Sequence, residues 1–260
     1  MRTDYEEIYH ALEDTHWWFR ARRDMILRLT RALPRDARIL EVGCSSGPLL
    51  AELQRAGFPH VWGIDISDTA VALACERVGV NQVRQADAVS TGFDADAFDV
   101  VIASDILEHI TDDRAAIREW RRILKPGGRL ILFVPCHPFL WTAYDEENEH
   151  VRRYRRLQIK KLVEDSRFLI TRSSYWNIMT FPPIALVRLF LRLIPRLGGG
   201  NRHQMHRALP ILNTAVVLVL KLENILISWG FNAPMGVSFF IIAKKMPGKA
   251  YQQKQPYPQL

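Results

Sequence analysis

Cysteine is scarce in this chain of 260 residues: Cys44, Cys75 and Cys136 are an odd number, without metal-ligand spacing. That excludes a disulfide framework, favours a reducing compartment and makes a cytoplasmic location the expectation. The opening residues, MRTDYEEIYH, have charges where a secretion signal needs an apolar stretch, so no signal peptide is expected. The uncharged apolar run from Ala208 to Leu220 is too short to span a bilayer. Acidic residues are nearly missing from one segment: between Val151 and Arg207, 13 Lys and Arg stand against Glu164 and Asp165 alone. The net charge of +7 therefore divides into +11 on that segment and −4 on the rest, which implies an anionic partner for the segment: phosphate groups on a substrate, a lipid surface or nucleic acid.

What is abundant is apolar surface. With 48% hydrophobic residues, the chain can build one large domain or one domain carrying an insertion. The stretch RILEVGCSSGPLL, Arg38 to Leu50, passes from a short apolar strand through small residues into Leu49, Leu50, Ala51 and Leu53 at helical spacing. Strand, tight turn and helix in that order let a ligand approach the backbone, and the amides at the helix start attract negative charge. Glu41, just ahead of the turn, offers an acceptor of the opposite sign. A site with both signs suits a zwitterionic cofactor better than a dinucleotide pyrophosphate, and the turn lacks G-x-G-x-x-G, which argues against a nicotinamide-dependent oxidoreductase.

The elements then alternate. Strands are expected at His60–Ile64, Gln82–Ala86, Phe98–Ala103 and Arg129–Val134, and helices from Ser67 to Val78 and Asp112 to Leu124, the last closed by Lys125, Pro126, Gly127 and Gly128. Repeated βα units predict an α/β fold, a Rossmann-like, doubly wound and mostly parallel sheet with its ligand at the carboxyl ends of the strands. Gly43, Asp65, Asp87 and Asp105 each follow a strand, so this topology brings them to one rim. Asp65, about twenty residues beyond the glycine turn, is placed to accept from ribose hydroxyls.

EVGCSSG, GIDIS, the acid of QADAV, FDVVIASDILEHI and LKPGGRLILFVP, in this order and spacing, resemble the class I S-adenosylmethionine-dependent methyltransferases over roughly Arg38 to Pro135. The resemblance implies S-adenosyl-L-methionine as cofactor. It places Glu41, Gly43 and Gly47 around the methionine part, Asp65 at the ribose and Asp87 at the adenine amino group, with Cys44, Ser45, Ile66, Ala88 and Ser104 as further cofactor-binding candidates. Ser45 stands where many members have a third glycine; the turn is expected to survive because serine is small. The sulfonium methyl is already activated, so the enzyme must align the acceptor and, where required, remove its proton. His109, His137, Glu108 and Tyr144 are the catalytic candidates, with Asp105, Glu108 and His109 sharing one face if this stretch opens a helix. The same triplet resembles a pattern that ubiquinone-biosynthesis O-methyltransferases associate with a divalent cation; a metal is possible here but not expected.

Around this core, residues 1–36 read as a helical arm whose His16, Trp17, Trp18 and Phe19 pack it onto the domain or, with Arg20, Arg22 and Arg23, form a lid. The cofactor domain takes residues 37–176 and resumes at 236–246, ending in an antiparallel strand pair, Phe168–Trp176 and Val237–Lys244. His137, Tyr144, Asp145, His150 and Tyr154 are candidates for substrate contact. Arg152, Arg153, Arg155 and Arg156 clamp an anion or simply face solvent. Residues 177–235 are an inserted helical cap or membrane-associating subdomain, with Arg188, Arg192 and Arg196 on one helix face to meet anionic headgroups. Residues 247–260 are expected to be a disordered tail.

The expected function is methyl transfer, as O-methylation, to a small or lipid-like acceptor with or without phosphate, on a cytoplasmic protein, either free or peripheral to the inner membrane face. Two alternatives remain: a nucleic-acid methyltransferase, against which no Asn-Pro-Pro-Tyr-like tetrapeptide follows Phe98 to Ser104, and a cofactor-binding peripheral membrane protein without turnover. No nucleic-acid partner is expected.

Overall fold

The computed structural model describes residues 3–193 and 210–247. Two helices, α1 (Thr3–Glu13) and α2 (Trp17–Thr30), precede β1 (Ile39–Val42), α3 (Pro48–Arg55), β2 (Val61–Asp65), α4 (Asp68–Val78), β3 (Val83–Gln85) and β4 (Phe98–Ser104). Then come α5 (Asp113–Ile123), β5 (Leu124–Pro135), α6 (Ala143–Glu147), α7 (Arg156–Asp165), β6 (Phe168–Trp176), α8 (Phe181–Leu193), α9 (Pro210–Ser228) and β7 (Ser238–Lys245). The seven strands form one sheet in the order β3-β2-β1-β4-β5-β7-β6. Every pairing is parallel except the two made by β7, which runs against both β5 and β6. The Rossmann-like α/β architecture expected from the alternation is the observed one.

The chain starts at the middle of the sheet and winds outward twice, from β1 to β3 and then back through β4. All four residues of β1 and six of the seven in β4 are buried because helices cover both faces. One core layer gathers Leu40, Val42, Val101, Ala103, Trp120 and Leu132; the other gathers Ile39, Leu50, Leu53, Val100, Ile102 and Phe133. Between β1 and β4 the winding reverses, and a crevice opens at the carboxyl ends of these strands.

The local signals act as expected. Ser67 caps α4 by accepting from the Ala70 amide at 3.2 Å, and Asp112 caps α5 through the Ala115 amide at 2.8 Å. One boundary moves: β5 begins at Leu124 rather than Arg129, because Leu124 already pairs with Phe98 and the Lys125–Gly128 kink is absorbed by a register shift opposite Asp99.

The insertion does not stand apart from the arm, since α9 packs along α2. Asn213 Oδ1 accepts from the Trp17 amide at 2.8 Å, and Asn224 Nδ2 donates to Ala21 O at 2.9 Å. Glu223 and Asn224 point inward and are bonded there, and the helix runs for 19 residues. The expected tail beyond residue 247 and the position of Arg196 lie outside the described residues.

Candidate functional site

A cavity of about 910 Å³ lies over the carboxyl ends of β1, β2 and β4. Its floor is the glycine turn. Gly43 and Gly47 take φ of +71° and +77°, and a Cβ on Gly43 would stand 2.9 Å from Ile106 Cδ1, so only glycine leaves this turn open. Ser45 adopts φ +49° and the turn survives without a third glycine. Its amide donates to Asp65 Oδ2 at 2.9 Å, while the Ser67 amide donates to Oδ1 at 3.0 Å. The Asp65 carboxylate is thereby fixed between the turn and the start of α4. Glu41, Gly43, Cys44, Ser45, Asp65, Ile66 and Ser104 all line the cavity. Gly47, Asp87 and Ala88 are not among the lining residues; Asp87 is exposed, and its Oδ1 accepts from the Val89 amide at 2.9 Å in a local turn.

The arm supplies the opposite wall, which spacing alone could not show. Tyr9, Glu13, Trp17, Trp18, Phe19 and Arg22 face the cavity. Ser46 Oγ donates to Glu13 Oε2 at 2.5 Å, and Arg23 reaches Glu52 Oε1 on α3 at 2.8 Å. Trp17, Trp18 and Phe19, the rings that pack the arm, also line the cavity.

Past β4 the chain does not open a helix. Asp105 has φ +52° and Leu107–His109 make a single 3-10 turn, so the shared helix face expected for Asp105, Glu108 and His109 does not form. Asp105 is instead engaged by Arg22, whose charge Asp105 and Tyr9 sustain against the cost of burial. Glu108 and His109 still face the cavity, joined by Tyr144 and by His150 from the segment after α6. His150 Nδ1 lies 3.0 Å from Asp145 Oδ1, and its ring meets that of His109 edge-on at 4.7 Å. Glu108, His109 and His150 each put a possible ligand atom within 4.8 Å of the others, with His150 where the sequence pointed to Asp105.

Burial sets the charge state of this end. It pushes the His109 pKa down to about 4, with His150 adding to the effect, so the imidazole is neutral near pH 7. The same desolvation raises Glu41 and Glu108 well above the usual carboxylate range. Asp145 moves the other way, to about 2: burial opposes its charge, but His150, Arg153 and Arg188 outweigh that.

Three arginines depart from expectation. Arg188 does not face outward; it donates to Leu140 O at 2.6 Å and to Asp145 at 3.2 Å. Arg152 and Arg153 pair with Asp113 and Asp145, each at 2.6 Å, so neither is a solvated charge nor a free clamp. His137 is absent from the cavity lining, stacked on Tyr175 at 5.2 Å.

Native interiors leave few buried polar atoms unbonded. Here Glu41 Oε2, Ser104 Oγ, Asp105 Oδ1 and both Glu108 oxygens lack a protein partner and line this one cavity, while others lie away from it at His137, Glu147, Asn177 and Ser238. The five around the cavity leave it able to bind a polar ligand.

The model of a methyltransferase domain matches residues 15–171, more than half of the chain. The chain belongs to the class I S-adenosylmethionine-dependent methyltransferases. A demethylmenaquinone methyltransferase of Clavibacter sepedonicus is 31% identical over 151 residues, 54% of this chain and 61% of that protein. A ubiquinone biosynthesis O-methyltransferase of Xanthomonas oryzae pv. oryzae is 36% identical over 105 residues, 37% of this chain and 42% of that protein. The match thus spans less than two thirds of either relative. The geranyl diphosphate C-methyltransferase of Streptomyces coelicolor A3(2) shares the fold with a TM-score of 0.59 at 17% identity, covering 94% of this chain and 85% of its own. The residues present fit this methyltransferase family's cofactor: a glycine cradle that a Cβ would fill, and Glu41 holding an unpartnered oxygen for a cationic group.

Proposed function

We propose that this methyltransferase moves a methyl group onto an oxygen of a small, largely apolar acceptor. Bound S-adenosylmethionine supplies the activated sulfonium methyl; the chain's own residues hold the partners and move the proton. Glu41 accepts from the ammonium of the methionine part, Asp65 from the ribose hydroxyls, and the side chain of Ile66, 70% exposed, covers a face of the base. At the other end, His109 takes the proton from the acceptor hydroxyl, for which burial keeps it unprotonated. His150, oriented by Asp145, meets the His109 ring edge-on and fixes its position. Tyr144 and Glu108, whose carboxyl burial biases toward its neutral form, would hydrogen-bond the hydroxyl and fix it in line.

The observation that carries this reading is the meeting of a neutral imidazole with an apolar wall, Pro183, Ile184 and Val187 of α8, in one cavity. At about 910 Å³, that cavity lies in the upper part of the range of roughly 300–1,000 Å³ for ligand pockets, room for a cofactor beside a modest acceptor. The names of two relatives, a ubiquinone biosynthesis O-methyltransferase and a demethylmenaquinone methyltransferase, support an acceptor of the quinone kind. Arg152, Arg153 and Arg188 are committed to internal acids, so a phosphate on the acceptor is not part of the proposal.

The test uses the full chain, S-adenosylmethionine labelled in its methyl group, and a prenylated catechol. Label should pass to the catechol with release of S-adenosylhomocysteine, and none to its dimethyl ether. Transfer to an amine analogue alone would overturn the oxygen acceptor.

A further inference from the structure

One helix serves the cavity and the outside at once. Pro183, Ile184 and Val187 of α8 line the cavity, yet Leu186, Val187, Leu189 and Phe190 of the same helix are exposed, Leu186 by 69%. α9 repeats the pattern over a greater length. Its inward face is Val217, Leu220, Glu223, Asn224 and Ile227; outward, Ile211, Leu218, Leu222, Leu226 and, just past its end, Trp229 recur every three to seven residues. Ile211 is 87% and Trp229 80% exposed. Soluble domains rarely leave apolar surface of this extent uncovered.

By length and composition α9 could cross a membrane, but its polar residues hold it to the domain. Asn213 binds Trp17, Asn224 binds Ala21 and the Trp176 ring nitrogen, and Glu223 accepts from the amides of Ile178 and Met179 ahead of α8. A helix bonded along one side and apolar along the other lies in an interface rather than across it.

We propose that the outward faces of α8 and α9 dock the protein flat on an anionic phospholipid leaflet, with α8 as the partition between lipid and cavity. Two further observations choose this occupant. The stretch of sequence joining the two helices, residues 194–209, contains Arg196, Arg202 and Arg207 and no acid, which complements anionic headgroups. Trp229 and Phe231, both exposed, sit at the end of α9, where amphipathic rings favour the headgroup level. An apolar acceptor dissolved in that leaflet would then reach the cavity past Val187 without crossing water.

Docking is measured without turnover, so it stands or falls apart from the oxygen acceptor proposed above. The full chain is mixed with vesicles of phosphatidylcholine, alone or with phosphatidylglycerol, and floated through a density gradient, with S-adenosylmethionine affinity measured by calorimetry as the control for folding. The native chain should float with the anionic vesicles and less with the neutral ones. Leu222→Ser should weaken partition roughly tenfold, and Leu218→Asp with Leu222→Asp should abolish flotation, both with cofactor affinity unchanged. The proposal is overturned if the native chain stays out of the floating fraction, or if the double variant floats as well as the native chain. A lipid-free dimer that the double variant splits, without flotation, would assign the face to a second copy instead.

Discussion

Arg22 of α2 and Asp105, on the turn after β4, form an ion pair between positions 83 residues apart, with side chains only 14% and 15% exposed. It ties the arm across the cavity to the strand end that precedes the catalytic candidates. The arm is therefore part of the site, and its second helix takes its position from the core.

Breaking this pair leaves one charge in a nearly dry place. Arg22→Gln should cost about 3 kcal/mol of unfolding free energy, read from urea denaturation. Adding Asp105→Asn should restore a good part of it, since the uncompensated carboxylate goes too. Equal stability of the native chain and Arg22→Gln would show that the pair contributes nothing.

Burial pushes the Glu41 pKa well above the usual carboxylate range, and a cationic group placed against Glu41 Oε2 would draw it back down. Binding of S-adenosylmethionine should then release a proton, and affinity should rise with pH until Glu41 ionises unaided. Calorimetric titration in phosphate and in Tris, whose ionisation enthalpies differ, reports the proton count. Glu41→Gln should bind more weakly and show no such buffer dependence.

Gly43→Ala tests the turn itself. At φ +71° an added Cβ costs about 1–2 kcal/mol in backbone strain and pushes against the Ile106 side chain within the cavity. Cofactor affinity should fall by about tenfold or more, and a crystal structure or near-ultraviolet spectrum should show the fold otherwise retained.

These contacts mark the boundary of what the chain's order reveals. Apolar periodicity exposed β1, α3, β4 and β5, because a helix or strand buries a face of fixed repeat. Ser67 and Asp112 announced their helices because a cap acts within three residues. Side-chain partners across the fold have no such local trace. Nothing near Arg22 names Asp105, and nothing near Asp145 says that Arg188, 43 residues on, will turn inward to meet it. The turn at Asp105 hid for another reason: the left-handed backbone there falls on a residue that is not glycine. In α9, the polarity of Glu223 and Asn224 alone does not reveal that each is bonded and inward-facing.

Asp145 joins His150, Arg153 and Arg188 in one buried cluster. Its folded pKa of about 2 lies below the unfolded value, so the stability it contributes is present above about pH 4 and is lost as pH falls toward 2. Asp145→Asn should remove the charge that Arg153, only 5% exposed, relies on, at a cost of about 3–5 kcal/mol near neutral pH. Measured from pH 5 to pH 2, the variant should lose less stability than the native chain over that acid range.

His109 decides the proposed chemistry. With a pKa near 4 it stays unprotonated across the physiological range, so a rate limited by its proton acceptance should hold level from pH 8 down to about 5. An ordinary solvent-exposed imidazole would begin to fail near 6.5. For stability the sign is opposite to that of a paired histidine: the folded state resists the proton, so folding free energy drains away as pH falls from about 6.5 toward 4. His109→Phe keeps the ring volume and removes both nitrogens; it should lower kcat by about 10²–10⁴-fold and lessen the loss of stability over that same interval. Comparing kcat with KM separates the roles, since a base moves kcat whereas a residue that only fills space moves KM. A native rate that halves near pH 6.5, or a Phe variant with unchanged kcat, would remove His109 from the proton path and leave the His150–Asp145 pair to be tested in its place.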